Sequence, residues 1–169
     1  MVPMQHMIIR AIAVFQIYGG ITGLIGILSS LANVKENAQF MIGIALYVYS
    51  ILCGYLLIQG VKYRIVWSQI NQFLQMLFFF MIGAGAFQYI SGGYWAFGVE
   101  GTSEMKFHFV FGLVSEFEFI INESYPRNGV YLNITALLIL YLLSRYSDEE
   151  EKDLFDFILE NQRDIDLSD

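Results

Sequence analysis

Four uncharged polar side chains stand close together in an otherwise apolar stretch: Ser68, Asn71, Gln72 and Gln75. Their spacing puts all four on one helical face. An unpaired amide in hydrocarbon is costly, so this face must point into a bundle or toward water. Two chemistries follow. The amides can hydrogen-bond neighbouring helices as structural glue, or they can line a polar cavity or the mouth of a pore. Gln16, Asn133 and Thr135 add uncharged polar groups at similar depth. No Asp, Glu, Lys, Arg or His falls near the middle of an apolar segment, which argues against a proton-coupled carrier.

Bond-making chemistry is not suggested by any pattern. His6 and His108 do not form a two-histidine metal motif with acids at ligand spacing. Ser115-Glu116 near His108 lacks an oxyanion device and a nucleophile elbow. His108 reads instead as a surface strand residue paired with Glu118. The single cysteine, Cys53, cannot make a disulfide within one chain and reads as a small packing residue. Asn122-Glu123-Ser124 matches a glycosylation acceptor, but it lies a few residues from a predicted helix and is expected to be unmodified. The expectation is a non-enzyme with no cofactor and no metal.

The elements that position these residues are read from hydropathy. Hydrophobic residues make up 56% of the 169 and charged residues 15%, well below the quarter or so charged in soluble domains. A single small domain cannot hide that much apolar surface from water, but lipid can take it up. Crossing a bilayer takes roughly 20 apolar residues of helix. Four segments qualify or nearly so: 11–32, 40–61, 70–90 and a shorter one at 130–143, extended to 126–146 by Pro126 as a first-turn residue. The first is longer than the apolar region of a signal peptide and is read as a retained helix. Gly19, Gly23, Gly26 and Ser30 share one face of it. Gly43, Tyr47, Ser50 and Gly54 share one face of the second. Small residues let membrane helices approach closely, so these faces predict tight packing of the two helices, or a seam between copies of the chain.

The stretch 91–125 is too long for a structureless connection. Phe107, Phe109 and Phe111 alternate with Lys106, His108 and Val110, and Glu116 and Glu118 alternate with Phe117 and Phe119. A period of two predicts strands with one wet face. A turn at Gly112-Leu113-Val114 would set Phe109 opposite Phe117, with 94–99 as a third strand. The competing reading of 105–121 is an amphipathic interfacial helix. The acidic residues concentrate at 100–123 and in a tail at 147–169, and no basic field suited to nucleic acid exists.

The expected architecture is thus an all-α membrane protein: a four-helix transmembrane domain over 1–146, an extracytoplasmic antiparallel β-ribbon at 91–125 between helices three and four, and an acidic cytoplasmic tail over 147–169. Arg10, Lys62, Arg64, Arg145, Lys152 and Arg163 against Lys35, Lys106 and Arg127 place both termini in the cytoplasm. The segments have the look of small bacterial cytoplasmic-membrane proteins. Beyond the lipid bilayer, the expected partner is another protein or further copies of the chain. The expected function is that of a non-enzymatic accessory or regulatory protein working through its outer loop and acidic tail. The alternative is an oligomeric pore lined by Ser68, Asn71, Gln72 and Gln75.

Overall fold

The structure is a computed structural model and describes residues 4–30, 37–61, 63–121 and 128–147. Helix α1 (Met4–Ser30) and helix α2 (Asn37–Gln59) are uninterrupted apolar helices. Within them, His6–Ser29 and Gln39–Gln59 are long and apolar enough to cross a membrane. They run antiparallel in close contact. Gly54 abuts Ala13 and Ile17, Gly23 receives the ring of Tyr47, and Gly43 abuts Ile27. A side chain at any of these glycines would collide with its neighbour, which is why the small residues recur along the seam.

Helix α3 (Arg64–Met76) follows a turn made by Gly60 and Tyr63, both at positive φ (70° and 65°). It is amphipathic in the inverted sense. Its buried residues are Ile65, Ser68, Asn71, Gln72 and Gln75, while Val66, Trp67, Ile70 and Phe73 are exposed. Beyond Met76 the helix gives way to β1 (Leu77–Met81) and β2 (Gly85–Ile90). Strands β3 (Tyr94–Gly101), β4 (Lys106–Gly112), β5 (Glu116–Ile121) and β6 (Asn128–Asn133) follow. A last helix, α4 (Ile134–Ser147), begins where the Asn133 side chain accepts the Ala136 amide, as an N-cap should.

This is not the all-α four-helix bundle that hydropathy predicts. The third predicted span, 70–90, is half of α3 plus a β-hairpin. Its apolar run Leu77-Phe-Phe-Phe-Met81 is aromatic and strand-prone, and Gly83 and Gly85 adopt positive φ (77° and 126°) to turn the chain back. The fourth, 126–146, is β6 plus a helix of 14 residues, which reaches only about 21 Å. Of the predicted ribbon only the hairpin of β3 and β4 forms, and it is part of a larger sheet. The predicted strands exist, but β4 and β5 do not pair with each other. The sheet has six antiparallel strands in the order β4-β3-β6-β1-β2-β5, so these two neighbours in sequence form its opposite edges. The loop after α1, the acceptor pattern at 122–124, Pro126 and the acidic tail from 148 onward lie outside the described residues.

That strand order fixes the shape of the sheet. Only Leu113, Val114 and Ser115 join β4 to β5, and four Cα–Cα steps span at most roughly 15 Å. Two edges tied that closely force the sheet to curl into an open barrel with a seam between β4 and β5. Register then assigns the faces. Phe78, Tyr131, Gly98 and His108 lie in one row across four strands, flanked by the row Phe79, Val130, Val99 and Phe107. The first row points inward and the second outward. Every charged residue on a described strand, Glu100, Lys106, Glu116 and Glu118, has inward parity. The outward rows carry Leu77, Phe79, Met81, Trp95, Phe97, Phe107, Phe109, Phe111, Val130 and Leu132, all of them exposed. The barrel is apolar outside, and inside it sets the strand charges among a buried aromatic and aliphatic cluster of Phe78, Phe80, Ile90, Tyr94 and Tyr131.

Helices and barrel meet side by side. Phe117 on β5 packs on Tyr47 of α2, and Tyr47 also meets Tyr89 of β2. Away from the barrel, α4 joins the start of α1: Leu143 and Ile139 cluster with Ile9, Ile12, Leu57 and Ile65. Arg10, Arg64 and Arg145 therefore sit at one end of the molecule, and the barrel lies toward the other.

Candidate binding site

The polar residues singled out in the sequence converge on a buried junction. The Ser50 hydroxyl donates to the Gln16 carbonyl at 3.1 Å and accepts from the Asn71 amide at 3.2 Å. Because its one proton is committed to Gln16, the 2.8 Å bond between Ser50 and Ser91 runs from Ser91 to Ser50. The Tyr89 hydroxyl points at Asn71 Oδ1 and the Leu46 carbonyl, at 3.0 and 2.9 Å. Gln75 Oε1 accepts the Ser91 amide at 2.8 Å, and Ser68 donates to Gln16 Oε1 at 3.3 Å. Three helices, β2 and the β2–β3 turn are locked together here. Ser68, Asn71, Gln72 and Gln75 are at most 2% exposed. They face the interior of one chain, and none of them lines either cavity described below. The Nε2 atoms of Gln16, Gln72 and Gln75 are buried there without a protein partner.

Of the predicted packing glycines, Gly23, Gly43 and Gly54 serve the α1–α2 contact. Gly19 does something else: it lets α1 approach the Ser91–Gly92 backbone of the β2–β3 turn. A side chain added at Gly26 would point into open space, and the residue lines an open groove.

Two cavities adjoin each other at the seam of the barrel. The first lies inside it. All six strands contribute to this cavity of about 300 Å³, through Phe78, Phe80, Gln88, Tyr94, Glu100, His108, Val110, Glu116 and Tyr131. Phe78 and Tyr131 stack with ring centres 4.8 Å apart, and Phe80 and Tyr94 stand edge-on to that pair. Into this aromatic room project Glu116, which accepts hydrogen bonds from Gln88 and Tyr94, and Glu100, which accepts one from Tyr131. Burial first, and then the neighbouring Glu116 charge and hydrogen bond, push the Tyr94 hydroxyl up to about 12. Tyr94 is therefore a fixed donor across the physiological range. The second cavity is a groove of about 650 Å³ along the free edge of β5, walled by α1 and α2 through Gly26, Ile27, Phe40 and Tyr47. Gln88 and Glu116 border both spaces.

The sequence names few residues of these cavities. Glu116 is noticed only as part of a poor hydrolytic pair, and His108 is, as expected, an exposed strand residue, though one that also borders the inner cavity. His108 lies across from Gly98 and Glu118 across from Gln88, so the predicted His108–Glu118 pair is not formed by strand pairing. Gln88, Tyr94 and Tyr131 carry no local signal, because only the pairing of β2, β3 and β6 turns them toward one interior. Among the described residues no group of histidine, cysteine and acidic side chains is placed to hold a metal ion. Comparison with known protein families, curated proteins and solved structures finds no match.

Proposed function

We propose that this chain is a membrane-embedded, non-enzymatic accessory protein that works by binding another membrane protein through the outer surface of its barrel. The observation that carries this reading is the inversion of polarity. The strand charges point inward, the outward rows are apolar, and α3 buries its amides while exposing Trp67, Ile70 and Phe73. In water such a surface is an aggregation hazard; beside lipid or an apolar protein face it is the stable arrangement. Helices α1 and α2 are the spans. Arg10, Arg64 and Arg145 mark the cytoplasmic end by the rule that favours basic residues there. The described chain then begins and ends on that side, and the barrel lies in the opposite half.

The contact itself is assigned to β4. Among the described residues this strand pairs only with β3, and its outward Phe107, Phe109 and Phe111 are 75%, 63% and 54% exposed. Free edges are normally blunted by charge, proline or a bulge. The outward row of β4 has no charge and no proline, so it suits addition of a partner's strand or apolar face. The partner is a membrane protein rather than a soluble one, because the row continues the apolar surface of β3 and β6. The test is affinity purification after extraction in a mild detergent. A stoichiometric partner is expected with the native chain and lost when Phe107, Phe109 and Phe111 are changed together to Ser. A chain that carbonate washes off membranes, or one whose captured proteins do not change with the triple variant, overturns the proposal.

A further inference from the structure

The barrel cavity and the groove beside it have a chemistry of their own, independent of any protein partner. Glu116 is a half-buried carboxylate held by two neutral donors, Gln88 and Tyr94, and no Lys, Arg or His among the described residues pairs with it. A carboxylate withdrawn from water retains a need for counter-charge. The walls around it are the faces and edges of Phe78, Phe80, Tyr94 and Tyr131, and Glu100 and His108 line the same cavity; aromatic faces attract organic cations, quaternary ammonium groups above all. Beyond Glu116 the second space runs between α1, α2 and the edge of β5, lined by the apolar Ile27, Phe40 and Phe119, by the polar Gln39 and Glu118, and by the bare backbone of Gly26. Both volumes fall in the range of ordinary ligand sites, roughly 300–1,000 Å³.

We infer that the two spaces form one site for an amphiphile with a cationic ammonium head, the head on Glu116 in the aromatic room and the alkyl chain in the groove beside Gly26. A head alone would use the carboxylate and the rings but leave the groove empty. A neutral or anionic amphiphile would fill the groove but leave Glu116 without a counter-charge.

Calorimetric titration of the full chain in dodecyl maltoside, corrected for empty micelles, separates these outcomes. The probes are dodecyltrimethylammonium, tetramethylammonium and dodecanoate. Dodecyltrimethylammonium should bind at least tenfold more tightly than either of the others. Glu116→Gln keeps the size of the side chain and an acceptor for Tyr94, and should weaken that binding on the order of tenfold, the scale of one charge-assisted contact. Gly26→Leu projects a side chain into the groove from a position whose Cβ meets no neighbour. It should reduce dodecyltrimethylammonium to the affinity of tetramethylammonium and leave the latter unchanged. Near-ultraviolet circular dichroism confirms that both variants keep the fold. Equal binding by native and Glu116→Gln chains, or no binding beyond that of empty micelles, overturns the inference. Loss of the partner in the β4 variant with retention of amphiphile binding is expected, since Phe107, Phe109 and Phe111 point outward and line neither space.

Discussion

The Ser115 hydroxyl donates to the Gly19 carbonyl at 2.7 Å, tying the β4–β5 turn to the middle of α1. The same oxygen accepts the Gly92 amide at 2.9 Å, so one small side chain joins a helix to two turns of the barrel. Ser115→Ala leaves the Gly92 N–H without its acceptor in a buried position. A loss of about 1–3 kcal/mol is expected, read as a lower midpoint of thermal unfolding in detergent. Gly19→Ala should be worse than Ser115→Ala, because the added methyl meets the backbone of Ser91 and Gly92, which cannot swing aside. Gly26→Ala, on the same face of α1 but facing open space, should be neutral. If Gly19→Ala and Gly26→Ala prove equally harmless, α1 does not lie against the β2–β3 turn.

The buried amides allow a sharper comparison within one helix turn. Gln75 accepts the Ser91 amide, whereas the Gln72 amide nitrogen has no protein partner. Leucine is close to glutamine in size. Gln75→Leu strands a buried backbone N–H and should cost about 1–3 kcal/mol, while Gln72→Leu removes an unpaired donor and should be neutral or stabilising. Chemical denaturation of the two variants decides it. A larger cost at Gln72 would mean that its amide is satisfied by something that this junction holds.

How far these relationships can be read from sequence depends on how local they are. α1 and α2 are legible because an uninterrupted apolar run of that length leaves one reading open, and the polar face of α3 is legible because its period is 3.6. The end of α3 is not. Apolar residues continue without a gap from Leu77 to Ile82 and resume at Ala84, and hydropathy is blind to whether an apolar run is helix or strand. Only Gly83 and Gly85 hint at the turn. The parity of Phe107, Phe109 and Phe111 is visible, but their partners are not. β1 finds β6 some fifty residues further along the chain, and adjacent β4 and β5 are separated by the whole sheet. The site at Glu116 depends on that long-range pairing, so it could not be assembled from neighbours in sequence.

The tyrosine beside Glu116 gives a pH signature. The Tyr94 hydroxyl is held above its ordinary value of about 10 and released only near 12. A group whose folded-state value is raised stabilises the fold fully below its unfolded value. That contribution is then lost as pH rises through the folded one. Stability should therefore hold up to about pH 10 and fall between pH 10 and 12. Glu116→Gln takes away the nearby negative charge, a smaller cause than burial, so the high-pH end of the tyrosinate titration should move to lower pH in that variant than in the native chain. A titration curve unchanged by Glu116→Gln would separate the two side chains and dismantle the aromatic room as described.

The inverted surface can be tested with the two tryptophans alone. Trp67 stands on the exposed apolar face of α3 and Trp95 on the outward row of β3, 47% and 54% exposed. They lie on different elements, yet the membrane reading gives them the same neighbour. In a water-soluble protein, indoles this open would emit at long wavelength and be quenched by acrylamide. Embedded in a bilayer they should emit at shorter wavelength, resist acrylamide and be quenched by lipids brominated on the acyl chain. Single-tryptophan chains, Trp67→Phe and Trp95→Phe, report each position separately in reconstituted vesicles. Quenching of Trp67 alone would confine the lipid contact to the helices and place the barrel outside the bilayer. The exposed phenylalanines of β4 would then need a protein, not lipid, to cover them.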